Sequence, residues 1–150
     1  MLSQKARYAL HALLVLAEKD GDEPMMIADV ARKAGAPRKF LELILLDLKR
    51  RGIVRSLRGR AGGYMLGRAP DKITFAEIIR VTNGPLALAP CVSATAYHRC
   101  SDCRDEKTCP LRDVLLAARN ATADVLEART LADALAVARR GSKKHVRRAA

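Results

Sequence analysis

Apolar residues in this chain fall into helical spacing, switch once to a strand-like pattern, and then return to helical spacing. Residues 3–19, SQKARYALHALLVLAEK, place Ala6, Leu10, Leu13, Leu14 and Ala17 at spacings of three and four. That predicts a helix with Ser3 as its N-cap, ended by DGDEP at 20–24. His11 lies in this helix without a partner at metal-ligand spacing, so it reads as an ordinary side chain. Residues 25–51 predict two more helices, roughly Met26 to Lys33 and then from Pro37 onward, with Ala34-Gly35-Ala36 as a tight turn between them. Phe40, Leu41, Ile44, Leu45 and Leu48 form the apolar face of the second. Two helices joined by a short glycine turn match a helix-turn-helix, with an ordinary helical hairpin as the alternative.

The period changes at residues 52–67, GIVRSLRGRAGGYMLG. Ile53 and Val54 are strand formers that Tyr64, Met65 and Leu66 can pair with, across a Gly/Arg turn. A β-hairpin directly after a helix-turn-helix predicts the wing of a winged helix. Thr74 and Glu77 match a capping box for a short helix to about Thr82, which Asn83-Gly84-Pro85 stops. A linker, LALAP, follows. Pro110 opens the longest helical pattern, to about Arg129, with an apolar stripe of Leu111, Val114, Leu115, Ala118, Ala121, Val125 and Leu126. A chain of this size has little core left to cover that stripe, so it predicts a dimer helix packed on a symmetry mate, with packing on the winged domain as the alternative. Thr130 and Asp133 cap a final short helix, and the residues from 139 onward predict a disordered basic tail.

The expected fold class is mainly α with a small β-hairpin: a winged helix-turn-helix domain plus a long C-terminal dimerisation helix. The expected divisions are a DNA-binding domain at 1–84, a linker and cysteine-rich loop at 85–109, dimerisation helices at 110–138 and a tail at 139–150.

Composition sharpens this picture. Aromatic content is 3% and Trp is absent, so the core must be built from Ala, Leu, Val and Ile. The formal net charge of +12 points to a polyanion, nucleic acid first and a membrane surface second. From Lys49 to Arg68 there are seven Lys or Arg and no Asp or Glu, which suits a phosphate-contacting or minor-groove element. Neither a secretory signal nor an apolar run of transmembrane length is evident, and the expected location is the cytoplasm.

All four cysteines fall in one stretch, CVSATAYHRCSDCRDEKTC, spaced C-x8-C-x2-C-x5-C from Cys91 to Cys109. In a reducing compartment clustered thiols are metal ligands or redox groups more often than structural disulfides. Four thiolates suit an iron–sulfur cluster. They also suit tetrahedral zinc, and Cys100-x2-Cys103 is a usual zinc-knuckle spacing. Metal-free thiols that switch by disulfide formation are the third option. Spacing alone leaves these open. No Ser/His/Asp set, phosphate-binding glycine motif or paired catalytic carboxylate is present. The CxxC also lacks a thioredoxin-type strand–helix context, so the chain does not read as an enzyme.

The motifs taken together carry a family likeness. KARYAL near the start, FLELILLDLKRRGIV, RGRAGGYMLG, ITFAEIIRVTNG and the cysteine loop followed by CPLRDV occur in this order over roughly residues 3–135. In this arrangement the chain resembles the Rrf-two family of bacterial winged helix-turn-helix transcription regulators, of the IscR and NsrR types. The resemblance implies a homodimer on a palindromic operator of double-stranded DNA, with recognition helices in major grooves, wings in minor grooves and half-sites about one helical turn apart. It also implies an iron–sulfur cluster, 2Fe–2S or 4Fe–4S, held by Cys91, Cys103 and Cys109, and this turns the balance away from zinc. Cys100 is an extra thiol. Arg112 stands where the IscR type has a ligand histidine, and Arg7 where the NsrR type has a cross-subunit acid. Cys100 or His98 is then the candidate fourth ligand.

By the same analogy base reading falls to Pro37, Arg38, Lys39, Phe40 and Glu42, with Glu42 accepting from a cytosine amino group. A surface salt bridge is the alternative for Glu42. Arg58, Gly59, Arg60 and Gly62 form the expected wing tip, and Lys49 and Arg55 the expected phosphate contacts. The functional expectation is a dimeric DNA-binding regulator controlled by a cluster or by redox state at the cysteine loop. The alternative is a zinc-stabilised DNA-binding or adaptor protein with no sensing role.

Overall fold

The computed structural model describes residues 2–19, 23–59 and 62–148. Its first helix, α1 (Gln4–Glu18), starts where the Ser3 hydroxyl accepts from the Ala6 N–H at 3.2 Å. Ala6, Ala9 and Ala12 on its buried face are small enough to let α2, α4 and α6 approach closely. α2 (Ile27–Ala34) ends at Gly35, whose φ of 62° is a left-handed conformation that suits glycine. The chain then turns at once into α3 (Arg38–Arg50), with Pro37 at its N-cap. Leu41, Ile44, Leu45 and Leu48 of α3 are fully buried, as the spacing predicts.

The hairpin follows as β1 (Val54–Leu57) and β2 (Gly63–Leu66), antiparallel with Val54 opposite Leu66 and Leu57 opposite Gly63. One pairing has no counterpart in the sequence reading. Met25 and Tyr64 exchange both backbone hydrogen bonds at 2.8 Å, so the segment before α2 adds a short third rung to the wing sheet. Gly63 makes that approach possible, since a Cβ there would stand 2.4 Å from the Met25 carbonyl oxygen.

α4 (Phe75–Thr82) is capped by the Thr74 hydroxyl, which accepts from the Glu77 N–H at 3.2 Å. The reciprocal half of the expected capping box is replaced: the Glu77 carboxylate accepts from Arg68 at 2.6 Å, because a guanidinium offers a stronger, charge-assisted bond. α5 (Arg112–Glu127) begins two residues after Pro110. α6 (Leu131–Arg148) is long, where the sequence predicts a short helix and then a disordered tail. Ala, Lys and Arg dominate this segment and are good helix formers, and one interior glycine, Gly141, costs only about 1 kcal/mol. Ala149 and Ala150 lie outside the described residues.

The core runs through α1, α2, α3, the hairpin root and α4, and it takes in Leu131 from α6. Leu131 arrives because the α5–α6 corner docks on the residues before α4. Phe75 N–H donates to the Arg129 carbonyl at 2.9 Å, and Leu131 N–H to the Ile73 carbonyl at 3.0 Å. Arg80 of α4 pairs with Glu127 at the end of α5. α5 is otherwise only lightly held. Ala123 is its one buried residue, and Leu111, Val114 and Val125 of the apolar pattern are 66%, 70% and 61% exposed.

Candidate nucleic-acid interface and cysteine centre

The proposed DNA-contacting residues fall on α3 and the hairpin. Pro37, Arg38, Lys39 and Glu42 are exposed at the start of α3. Arg38 Nε donates to Glu42 at 3.2 Å, so the free protein holds Glu42 in the surface salt bridge that was its alternative role. Phe40 sets its ring edge-on against Tyr8 of α1, with centroids 5.9 Å apart, and so braces α3. Lys49 at the end of α3 donates to the Ser56 hydroxyl at 2.7 Å, which fixes the hairpin to the helix. Arg55, Arg58 and Gly59 are exposed, and the Gly62 N–H closes the tip on the Gly59 carbonyl at 2.9 Å. Arg60 lies outside the described residues. α3 and the hairpin are thereby one rigid unit with an outward basic surface.

The cysteine loop is built differently. Residues 93–110 hold no helix or strand. Cys91 is buried on a single 3-10 turn, Pro90–Val92, and Arg119 of α5 donates from Nε to the Val92 carbonyl at 3.1 Å. Ser93 accepts from the Ala96 N–H at 3.0 Å. The Cys103 N–H donates to the Cys100 carbonyl at 3.1 Å, so the CxxC is a compact turn. Arg99 bonds the Cys103 and Arg104 carbonyls at 2.9 and 2.6 Å. Tyr97 donates to Glu106 at 2.7 Å, and this bond to a carboxylate holds its phenol above the usual range.

All four cysteines line one concavity of about 400 Å³, together with Glu106, Arg112 and Leu115. All four are free thiols. Burial pushes the Cys91 thiol up, and the hydrogen-bonding Cys100 thiol beside it adds to the effect, while Arg112 opposes it. His98 is exposed and does not line the concavity. Among the described residues, no three Cys, His, Asp or Glu side chains stand close enough to hold a single metal ion. The four thiols line one shared concavity, and four soft donors there suit an iron–sulfur cluster. A second observation points the same way. Arg112 Nε is a buried donor with no partner among the described residues, and such a group calls for an acceptor. Sulfide or thiolate of an anionic cluster is one. The residues present therefore fit an iron–sulfur cluster in number, donor type and charge. Sequence reasoning weighed Arg112 only as a missing histidine, and nothing local in the sequence signals that its Nε would be buried.

The family model described as "Rrf2: Iron-dependent Transcriptional regulator" matches residues 2–137. The chain belongs to the Rrf2 family. An rrf2-like HTH-type transcriptional regulator of Rhodobacter capsulatus is 41% identical over 146 residues, covering 95% of this chain and 97% of that protein. Among solved structures, CymR, the global cysteine regulator of B. subtilis, superposes with a TM-score of 0.73 at 32% identity, over 91% of this chain and 97% of its own. IscR of T. potens gives a TM-score of 0.72 at 29% identity, over 92% and 88%. This Rrf2 protein is thus a winged-helix transcription regulator, as the motif order implies, and its relatives are named as regulators and not as enzymes. No helix of the described residues is long and apolar enough to cross a membrane.

Proposed function

We propose that this Rrf2 protein is a homodimeric regulator whose binding to a palindromic operator depends on an iron–sulfur cluster at the cysteine loop. The observation that carries the reading is the convergence of Cys91, Cys100, Cys103 and Cys109 on one concavity that α5 itself helps to line. Cys91, Cys103 and Cys109 would hold the cluster, with Cys100 as the fourth ligand and Arg112 donating to its sulfur. When bound, such a group supplies a redox-sensitive cross-link between thiolates.

The chain's own part is mechanical. Cys91 is anchored to the body of α5 through Arg119 and Val92, and Cys109 to its first turn through the Arg112 N–H at 3.3 Å. Drawing the thiols together fixes the loop between these two anchors and sets how α5 sits. α5 carries the exposed stripe expected to pair two protomers, so a small change in its seating moves two recognition helices relative to half-sites about 34 Å apart. Lys39, Lys49, Arg55, Arg58 and Arg60 would contact DNA, with Glu42 released from Arg38 to meet a base edge.

The test is anaerobic purification with visible and Mössbauer spectra and metal analysis, followed by operator binding with and without the cluster. The expected result is a coloured protein with bound iron and sulfide, and operator affinity that differs at least tenfold between the two forms. A four-Cys→Ala variant that keeps both operator affinity and effector response would overturn the reading. So would colourless protein with stoichiometric zinc.

One observation favours a second reading, a thiol switch. Cys91 and Cys100 line the same concavity, and an oxidising disulfide or peroxide could join them. Intact mass after mild oxidation, two hydrogens lighter and with Cys91 and Cys100 in one linked peptide, would select it.

A further inference from the structure

The outward face of α3 carries an unusual stripe. Lys39, Leu43, Leu46 and Arg50 are spaced four, three and four, opposite the buried Leu41, Ile44, Leu45 and Leu48. Leu43 is 61% exposed and Leu46 43%, so two adjacent turns of a helix rich in core contacts present leucine to solvent. A single exposed leucine needs no explanation. Two in line, bracketed by cations, describe a surface with a particular complement.

That complement must be apolar along a narrow line and negative on either side. Lys39 and Arg50 bracket the leucines at the two ends of the stripe, and Arg38 and Lys49 lie further round the helix. The acids of this helix are already engaged, Glu42 by Arg38 and Asp47 by Lys5 and Arg50. The hairpin that continues from α3 adds more cations and no acid. Duplex DNA meets both demands: two phosphate ribbons flank a major groove about 12 Å wide, which admits a helix of about that diameter. On the groove floor the apolar group is the thymine 5-methyl.

We infer that Leu43, supported by Leu46, is a specificity-determining residue that reads thymine by contact with its 5-methyl group. Leu43 lies in the second turn of α3, within the N-terminal part of a recognition helix that reaches base edges, and Leu46 lies one turn further on. This inference rests on the DNA-binding reading and deepens it. Glu42 and Lys39 address polar base edges and phosphates, and Leu43 adds the one element of the code that carries no hydrogen bond.

The experiment uses the full-length protein and a duplex obtained from it by selection from random fragments. Each thymine in a half-site is replaced in turn by deoxyuridine, which removes the methyl and keeps every hydrogen-bonding group. At one or two positions wild-type binding should weaken about fourfold, the effect of one buried methyl-sized group. Leu43→Ala should bind thymine and uracil duplexes equally there. Leu43→Gln should do the same, which separates methyl contact from general loss of bulk. Leu46→Ala should leave a reduced ratio. Uracil-indifferent binding by the wild type at every position would overturn the inference and leave the regulator reading standing. Failure to select any duplex would sink both. A Leu43→Ala protein that keeps the thymine/uracil ratio but changes sedimentation would assign the leucines to a protein contact, and would also overturn it.

Discussion

The winged reader and the cysteine loop lie in one chain but are held by different physics. The reader is fixed by buried hydrocarbon: Leu13, Leu41, Ile44, Leu45, Leu48, Ile53, Ile73 and Ile78 are fully enclosed. The loop buries little beyond Cys91, Val92 and Ser93, and it is held by scattered side-chain-to-backbone bonds from Arg99, Arg119 and Ser93. Dense apolar packing is bistable at best and resists small perturbations. A loop held by a few hydrogen bonds follows whatever its thiols bind. The contrast separates a part whose shape is fixed by its own packing from a part whose shape, under the proposed function, would follow the group its thiols hold.

That contrast can be attacked at its strongest point first. Leu45→Ala should lower unfolding stability by about 2–5 kcal/mol in a denaturant titration, because it opens a cavity among α1, α2 and α3. A triple variant, Cys100→Ala, Cys103→Ala and Cys109→Ala, should move the same titration by less than about 1 kcal/mol, as expected of part-exposed positions. If the two shifts were equal, the division between a packed reader and a slack cysteine loop would fail. Gly63→Ala should cost about 1–3 kcal/mol, since its Cβ would collide with the Met25 carbonyl at 2.4 Å and break the third rung of the wing sheet. Hydrogen exchange should then show early loss of protection at Met25 and Tyr64, with α4 unaffected.

The smallest expected effect concerns Asp47. The hydrogen bond from Lys5 at 2.7 Å holds its carboxyl below the usual range. A group whose folded value is lowered contributes stability above its unfolded value, near pH 4, and loses it as pH falls through the folded value. Both partners are about one-third exposed, so Lys5→Met should cost only about 0.5 kcal/mol at pH 7. The wild-type and variant curves should converge as the pH falls through the lowered folded value of Asp47. A gap that widened on acidification would contradict the pairing.

Much of the fold was legible because it is written locally. The spacing of Leu41, Ile44, Leu45 and Leu48 gives α3, Ser3 gives the start of α1, and Gly35 gives the turn between α2 and α3. The paired residues of the hairpin follow from strand formers flanking a Gly/Arg turn. What stayed hidden depends on residues far apart in sequence. The Met25–Tyr64 rung needs the approach of two segments 39 positions apart. Glu77 chose Arg68 over its own cap because the guanidinium comes from a neighbouring loop. At the candidate site the clustering of four thiols was plain from spacing, and the exclusion of His98 from the concavity was not. The burial of Arg112 Nε depends on how the loop folds over the start of α5. The length of α6 escaped because charged runs resemble tails, although Lys and Arg are also good helix formers.

Leu131 has a consequence for how the molecule is made. It is fully buried in a core otherwise supplied by the first 81 residues. A nascent chain emerging from the ribosome therefore exposes a reader with an open seam until the corner at residues 129–131 has been synthesised and released. A product cut short by a premature stop within the cysteine loop would carry every residue proposed to contact DNA and still lack the last piece of its hydrophobic interior. Proteolytic quality control can remove such a fragment before it engages DNA without a complete cysteine loop.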